Sequence, residues 1–178
     1  MNSAARAKKK TPIKHGDLTI RAATDEDRVP ITDVFNYYVE NSFAAYPTSK
    51  LPPLFYDYIG CHREKYPFYV IETADKHVVG FGYLHPHHVA DSMNRTGEVT
   101  YFLLPEAGRK GIGARLLELF AVAAPGLGID NFVANVCSLN EESLKFHLKH
   151  GFVECGRLKR VGKKFGEDFD IVWLQKFL

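Results

Sequence analysis

GRKGIGARLLELF, Gly108–Phe120, sets Gly111 and Gly113 one residue apart, behind an Arg–Lys pair and ahead of an apolar run. The run predicts a helix to about Ala124, with Ile112, Leu116, Phe120 and Ala123 on its inner face. Upstream, EVTYFLL (Glu98–Leu104) reads as a strand ended by Pro105. Downstream, DNFVANVCS (130–138) is a second strand, and LNEESLKFHLKHGF (139–152) a helix with Asn140 as N-cap and Gly151 as terminator.

The glycines suit an anion. A helix start leaves backbone N–H groups without partners and carries partial positive charge, so it binds phosphate when no side chain blocks approach. Gly111 and Gly113 remove that block, and Arg109 and Lys110 add charge. An ordinary glycine turn is the equal alternative on these residues alone. A third glycine is missing for a dinucleotide fingerprint, and no Gly-Lys-Ser/Thr follows for a P-loop.

Outward from this stretch, DLTIRAA (17–23) alternates as a half-buried strand. TDEDRVP opens a helix to about Asn41, with Pro30 in its first turn and Ile31, Val34, Phe35 and Tyr38 on one face. Ser42–Pro53 is a loop by its prolines, and Leu54–Lys65 a short helix. PFYVIETA (67–74) and HVVGFGYLHP (77–86) are strands about a DKH turn, and FVECGRLKR (152–160) and EDFDIVWLQKF (167–177) are two more. Mixed strands and helices with adjacent hairpins predict an α+β, or mixed α/β, sheet.

The chain has 178 residues, 46% hydrophobic and 25% charged, which fits one core. Residues 1–16 read as a basic, disordered tail with Arg6, Lys8, Lys9, Lys10 and Lys14, and residues 17–178 as one domain. A net charge of +2 gives no sign of a nucleic-acid partner. No apolar run is long enough to cross a bilayer, and the N-terminus lacks the core of a secretory signal. Cys61, Cys137 and Cys155 form no C-x-x-C pair, so a reducing, cytoplasmic setting is expected. His85, His87 and His88 lack partners at metal spacing and read as loop surface, so no metal is expected.

The order of EVTYFLLPE, GRKGIGARLLELF, a strand and NEESLKFHLKHGF resembles the GNAT superfamily of N-acetyltransferases. The resemblance runs from Leu18 to the C-terminus. ENSFAAYPTS, KYPFYVIE, GFGYLHP, LKFHLKHGF and GKKFGEDFDIVWLQ are most similar to the phosphinothricin and methionine sulfone acetyltransferase branch. The chain departs from that pattern in three places. Gly108 stands where the superfamily usually has Gln or Arg, Ala90 where the branch has a basic residue, and Asp168 where it often has an aromatic one.

The resemblance implies a GNAT fold: a central, mostly antiparallel twisted sheet flanked by helices, with strands splayed at the acetyl-CoA site. It implies an acetyl-CoA-dependent enzyme acting on the primary amine of a small molecule, an amino acid or analogue, by direct attack in a ternary complex. A polyamine or protein acetyltransferase and a non-catalytic acyl-CoA sensor are the alternatives. An amine must lose a proton before attack, and a base must take it directly or through water. Glu98 matches the branch's catalytic glutamate; without the resemblance it reads as a strand-end surface carboxylate. His147 matches the position that meets the departing thiolate. Tyr101, Phe102 and Leu103 would pair with pantetheine, with an N–H of Phe102 or Leu103 at the oxyanion. Arg109, Lys110, Gly111, Ile112, Gly113 and Ala114 would hold the pyrophosphate, and Asn140 would contact the cofactor. Phe43, Tyr46, Tyr83 and Arg95 are expected at the acceptor, and a homodimer is implied.

Overall fold

The computed structural model describes residues 11–178; residues 1–10 of the expected tail lie outside the described residues. The strands are β1 (Ile13–His15), β2 (Leu18–Ala22), β3 (Phe68–Glu72), β4 (Val78–Pro86), β5 (Thr96–Leu103), β6 (Asn131–Cys137), β7 (Val153–Lys164) and β8 (Glu167–Phe177). The helices are α1 (Arg28–Asn41), α2 (Phe55–Ile59), α3 (Ile112–Ala123) and α4 (Glu141–Lys149). The strands form one mixed sheet in the order β1-β2-β3-β4-β5-β6-β8-β7, with α1 and α2 on one face and α3 and α4 on the other, a mixed α+β arrangement.

Neighbouring strands are antiparallel except β5 and β6. A parallel pair needs a crossover, and α3 supplies it. The parallel ladder is short. It starts at Thr96↔Asn131 and stops at Glu98↔Val133, while β5 runs on to Leu103 and β6 to Cys137. The strands therefore part after Glu98, leaving a gap in the sheet.

Side chains alternate across a strand, so each face gathers its own core. Val99, Tyr101 and Leu103 of β5 pack with Ile112, Leu116 and Phe120 of α3 and Leu144 of α4. Phe102 packs with Ile31, Val34, Phe35 and Val39 of α1 and Tyr56 and Ile59 of α2. The gap connects these faces.

The structure moves several boundaries. Residues 13–15 of the expected tail pair with β2, Ile13 opposite Ile20, and Lys14 Nζ donates to Thr19 Oγ1 at 2.9 Å. The tail reading is corrected there: Gly16, with φ +61°, lets a two-residue turn fold these residues back on β2, and that pairing outweighs the charge run. The helix expected over Leu54–Lys65 stops at Ile59. At Gly60 a Cβ would stand 2.8 Å from Tyr56 O, and the chain leaves the helix there. The β7–β8 hairpin extends beyond expectation because Phe165 (φ 50°) and Gly166 (φ 85°) close it in a two-residue left-handed turn.

Candidate active site

A cleft of about 1160 Å³ runs from the glycine turn to the gap. Its walls come from both faces of the sheet: Tyr37, Tyr38 and Phe43 on the α1 side, Tyr101, Leu103 and Phe146 on the α3/α4 side. Of the expected residues, Phe43, Tyr101, Phe102, Leu103, Arg109, Gly111, Ile112, Gly113, Ala114 and Asn140 all line it.

The glycine end fits an anion. Gly111 caps α3 with φ +77°, and Arg109 before it also takes a left-handed φ of +57°. The first ladder bond of α3 is Arg115 N–H to Gly111 O at 3.0 Å. The amides of Ile112, Gly113 and Ala114 precede it and have no hydrogen-bond partner among the described residues. A Cβ on Gly113 would come within 3.2 Å of the Phe146 ring, so the turn is tight against α4. Lys110 is not on the wall. Its Nζ is 2.7 Å from Asp17 Oδ2, and its carbonyl accepts from His15 Nε2 at 2.8 Å, so the β1–β2 hairpin braces the turn from behind. Asn140 caps α4 through Ser143 N–H at 3.2 Å while facing the cleft.

The register of β5 decides which amides face the gap. Leu104 N–H donates to Val79 O, and His87 N–H to Thr96 O. By antiparallel alternation the N–H groups of Glu98, Thr100 and Phe102 point at β4; that of Val99 meets β6 at the last rung of the parallel ladder, and those of Tyr101 and Leu103 point into the gap. Between the two expected oxyanion donors, Phe102 is therefore excluded and Leu103 remains. The Leu103 carbonyl accepts from Tyr38 Oη, whose pKa burial pushes up to about 12.

His147 departs from expectation. It is 3% exposed and absent from the cleft wall. Its Nδ1 lies 2.7 Å from Ser143 O, an acceptor only, so Nδ1 carries the hydrogen. Nε2 then accepts from Tyr101 Oη at 2.6 Å. Burial holds the imidazole below its usual pKa and the Tyr101 phenol above its own. His147 stands behind Tyr101, with no nitrogen turned to the cleft.

Glu98 lies on the α1/α2 face where the gap begins, 9% exposed. Oε1 accepts from Asn135 Nδ2, and Oε2 is 3.1 Å from His87 Nδ1. Asn135 Oδ1 accepts from Tyr46 Oη at 2.9 Å, and Tyr46 stacks on Phe169. His85, opposite Glu98 across β4–β5, is held below the usual histidine pKa by burial, against the pull of Glu98. Tyr83, on the same face, packs on Phe68, Phe81 and His85, and burial raises its pKa. Arg95 is not brought to the site. Its side chain is 65% exposed and bound to Asp130. The sequence reading missed Asn135 and placed His87 on the loop surface. A strand position two residues past a parallel pair, and a histidine just past the end of β4, carry no local mark of meeting.

Among the described residues no group of three or more His, Cys, Asp or Glu could hold a metal ion, and no helix is long and apolar enough to cross a membrane.

Comparison with known proteins gives a consistent result. Residues 31–152 match the family model described as Acetyltransferase (GNAT) family. A phosphinothricin N-acetyltransferase of Streptomyces coelicolor is 26% identical over 164 residues, 90% of this chain and 96% of that one. The crystal structure of a GNAT superfamily phosphinothricin acetyltransferase from Sinorhizobium meliloti in complex with AcCoA superposes with a TM-score of 0.81, at 26% identity, covering 91% of this chain and 89% of that one. A ribosomal-protein-alanine N-acetyltransferase structure from Brucella melitensis gives 0.80 at 28% identity, covering 89% and 99%.

Proposed function

This chain belongs to the acetyltransferase (GNAT) family and is an acetyl-CoA-dependent N-acetyltransferase, and from that premise we propose that it acetylates the primary amine of a small molecule, an amino acid or analogue. One observation carries the reading: a single cleft reaches from the glycine turn to the β5–β6 gap, and Glu98, beyond the cleft lining, lies at the start of that gap on the opposite face. Phosphinothricin acetyltransferases among the relatives support the acceptor class.

In this reading the free amides of Ile112, Gly113 and Ala114, with Arg109, hold the pyrophosphate. Tyr101 and Leu103 offer edge amides to pantetheine, and the Leu103 N–H meets the developing oxyanion. Acetyl-CoA supplies the activated acetyl group. Glu98 draws the proton from the amine, directly or through an intermediary. Phe43, Tyr46 and Tyr83 shape the acceptor side, whereas Arg95, committed to Asp130, takes no part. His147 holds Tyr101 in place instead of meeting the thiolate. The reactants meet in a ternary complex within one domain, and two copies pair, as is the habit of the family. Three free cysteines support a cytoplasmic setting.

The test is acetyl transfer from acetyl-CoA to a panel of free amino acids, methionine sulfone, phosphinothricin, polyamines and short peptides. Product with the first three supports the reading. Product only with peptides favours a protein acceptor, a second reading that the likeness to the Brucella melitensis structure supports. Acetyl-CoA binding without any transfer returns the chain to a sensor.

A further inference from the structure

The Glu98 carboxyl has both oxygens engaged, one by Asn135 and one by His87. Each oxygen keeps a further lone pair, but the carboxyl is nearly buried between these two partners, so an amine meets His87 before it reaches Glu98. His87 is more open: its side chain is 33% exposed against 12% for Glu98. A carboxylate oxygen accepts, so His87 Nδ1 carries the hydrogen and Nε2 keeps its lone pair. That Nε2 has no hydrogen-bond partner among the described residues.

The ring is also held in place. Its edge packs on Trp173 of β8, with centroids 5.5 Å apart at 80°, while Nδ1 meets Glu98 of β5. A ring bridging β5 and β8 overlies β5 and β6 where the two strands part. The backbone N–H of His87, bonded to Thr96 O at 3.2 Å, closes the β4–β5 connection at that point.

Resting on the acetyl-transfer reading, we infer that His87 is the group that takes the amine proton, and that Glu98 orients and steadies it. One ammonium proton passes to His87 Nε2, leaving the nitrogen lone pair free. The nitrogen bonds to the acetyl carbon as the carbon–sulfur bond breaks, and its second proton ends on the thiolate. The imidazolium beside Glu98 then returns its proton to water. Asn135 and Tyr46 are positioning residues: they hold the face of Glu98 that His87 does not use.

The experiment compares His87→Phe, His87→Ala, Glu98→Gln and the double variant His87→Phe/Glu98→Gln. It measures formation of acetylated amine from methionine sulfone, phosphinothricin and the free amino acids, with acetyl-CoA affinity by calorimetry. The expected result is a loss of about 100-fold or more in kcat for His87→Phe, with acetyl-CoA affinity unchanged. Added imidazole restores part of the activity of His87→Ala, and the double variant is no slower than His87→Phe alone, because the two residues act as one unit. Full activity of His87→Phe beside an impaired Glu98→Gln overturns the assignment, as does failure of imidazole to restore His87→Ala. Absence of transfer by the unaltered protein sinks the acetyl-transfer reading itself, which is a different outcome.

Discussion

Tyr101 Oη donates to His147 Nε2 at 2.6 Å, and the other nitrogen of the same ring donates to Ser143 O at 2.7 Å. The pair joins β5, which lines the cleft, to α4, which closes it. Tyr101→Phe leaves a buried nitrogen without its donor and is expected to lower stability by about 1–3 kcal/mol, read as a lower Tm. His147→Gln keeps an acceptor for Tyr101, so kcat should fall less than about tenfold. A loss above about 100-fold with Tm and acetyl-CoA affinity unchanged would put His147 back into the chemistry.

The same ring makes a pH prediction. Burial lowers the His147 pKa in the folded protein, and that of His85 as well. Below the unfolded value of about 6.5 the unfolded chain binds protons that the folded chain refuses. Stability therefore falls as pH drops from about 6.5 toward the lower folded values, and His147→Gln flattens that slope in denaturant titrations. An unchanged slope in His147→Gln would mean that His147 binds its proton alike in the folded and unfolded chain.

The glycine turn separates two effects. Gly111→Val forces a β-branched residue to φ +77° and is expected to weaken acetyl-CoA binding by about tenfold or more, with about 1–2 kcal/mol lost in stability. Arg109→Gly relieves a positive φ but removes a cation from the start of α3. It should gain up to about 1 kcal/mol in stability while acetyl-CoA binding weakens about two- to fivefold. Calorimetry and thermal unfolding read the two separately.

Lys164 predicts a purely structural contribution to the acceptor side. Its Nζ donates to Ser42 O at 2.7 Å and Ala45 O at 2.6 Å at the end of α1, and burial lowers its pKa. It fastens the loop that carries Phe43 and Tyr46. Lys164→Met is expected to cost about 1.5–3 kcal/mol. KM for the amine should rise more than the Kd of acetyl-CoA. Equal changes in both would mean the loop does not shape the acceptor side.

Arg21 anchors the far end of the sheet. It meets Asp27 at 2.8 Å and Glu72 at 2.7 Å, both carboxylates nearly excluded from water. Burial alone would raise their pKa values, yet Arg21, with Thr24 N–H at Asp27 and Lys76 at Glu72, holds both below the usual range. Depressed carboxylates contribute stability above their unfolded pKa of about 4, and that contribution is lost as pH falls through the folded values. Arg21→Met leaves Asp27 without its ion-pair partner and Glu72 with Lys76 alone, and should cost about 3–5 kcal/mol near neutral pH. A variant as stable as the parent would show that the carboxylates are relieved by other means.

The linear pattern by itself determined most of the elements and the glycine turn that opens α3. Ile112, Leu116 and Phe120 recur at helical spacing, Asn140 and Gly151 bracket α4, and the Gly111–Gly113 pair opens a helix. These are local signals, because a helix period, a cap and a left-handed turn depend on residues within a few positions. Only the tertiary structure decided which groups meet. Register alone turns the Leu103 amide into the gap and the Phe102 amide toward β4. His87, Glu98, Asn135 and Tyr46 come from β4's end, β5, β6 and a loop, and their hydrogen bonds exist only because β5 and β6 part after Glu98. Burial placed His147 behind Tyr101, and an ion pair with Asp130 removed Arg95. Contacts between residues tens of positions apart leave no periodicity in a single sequence, so the chemistry of this site becomes readable once the sheet has brought them together.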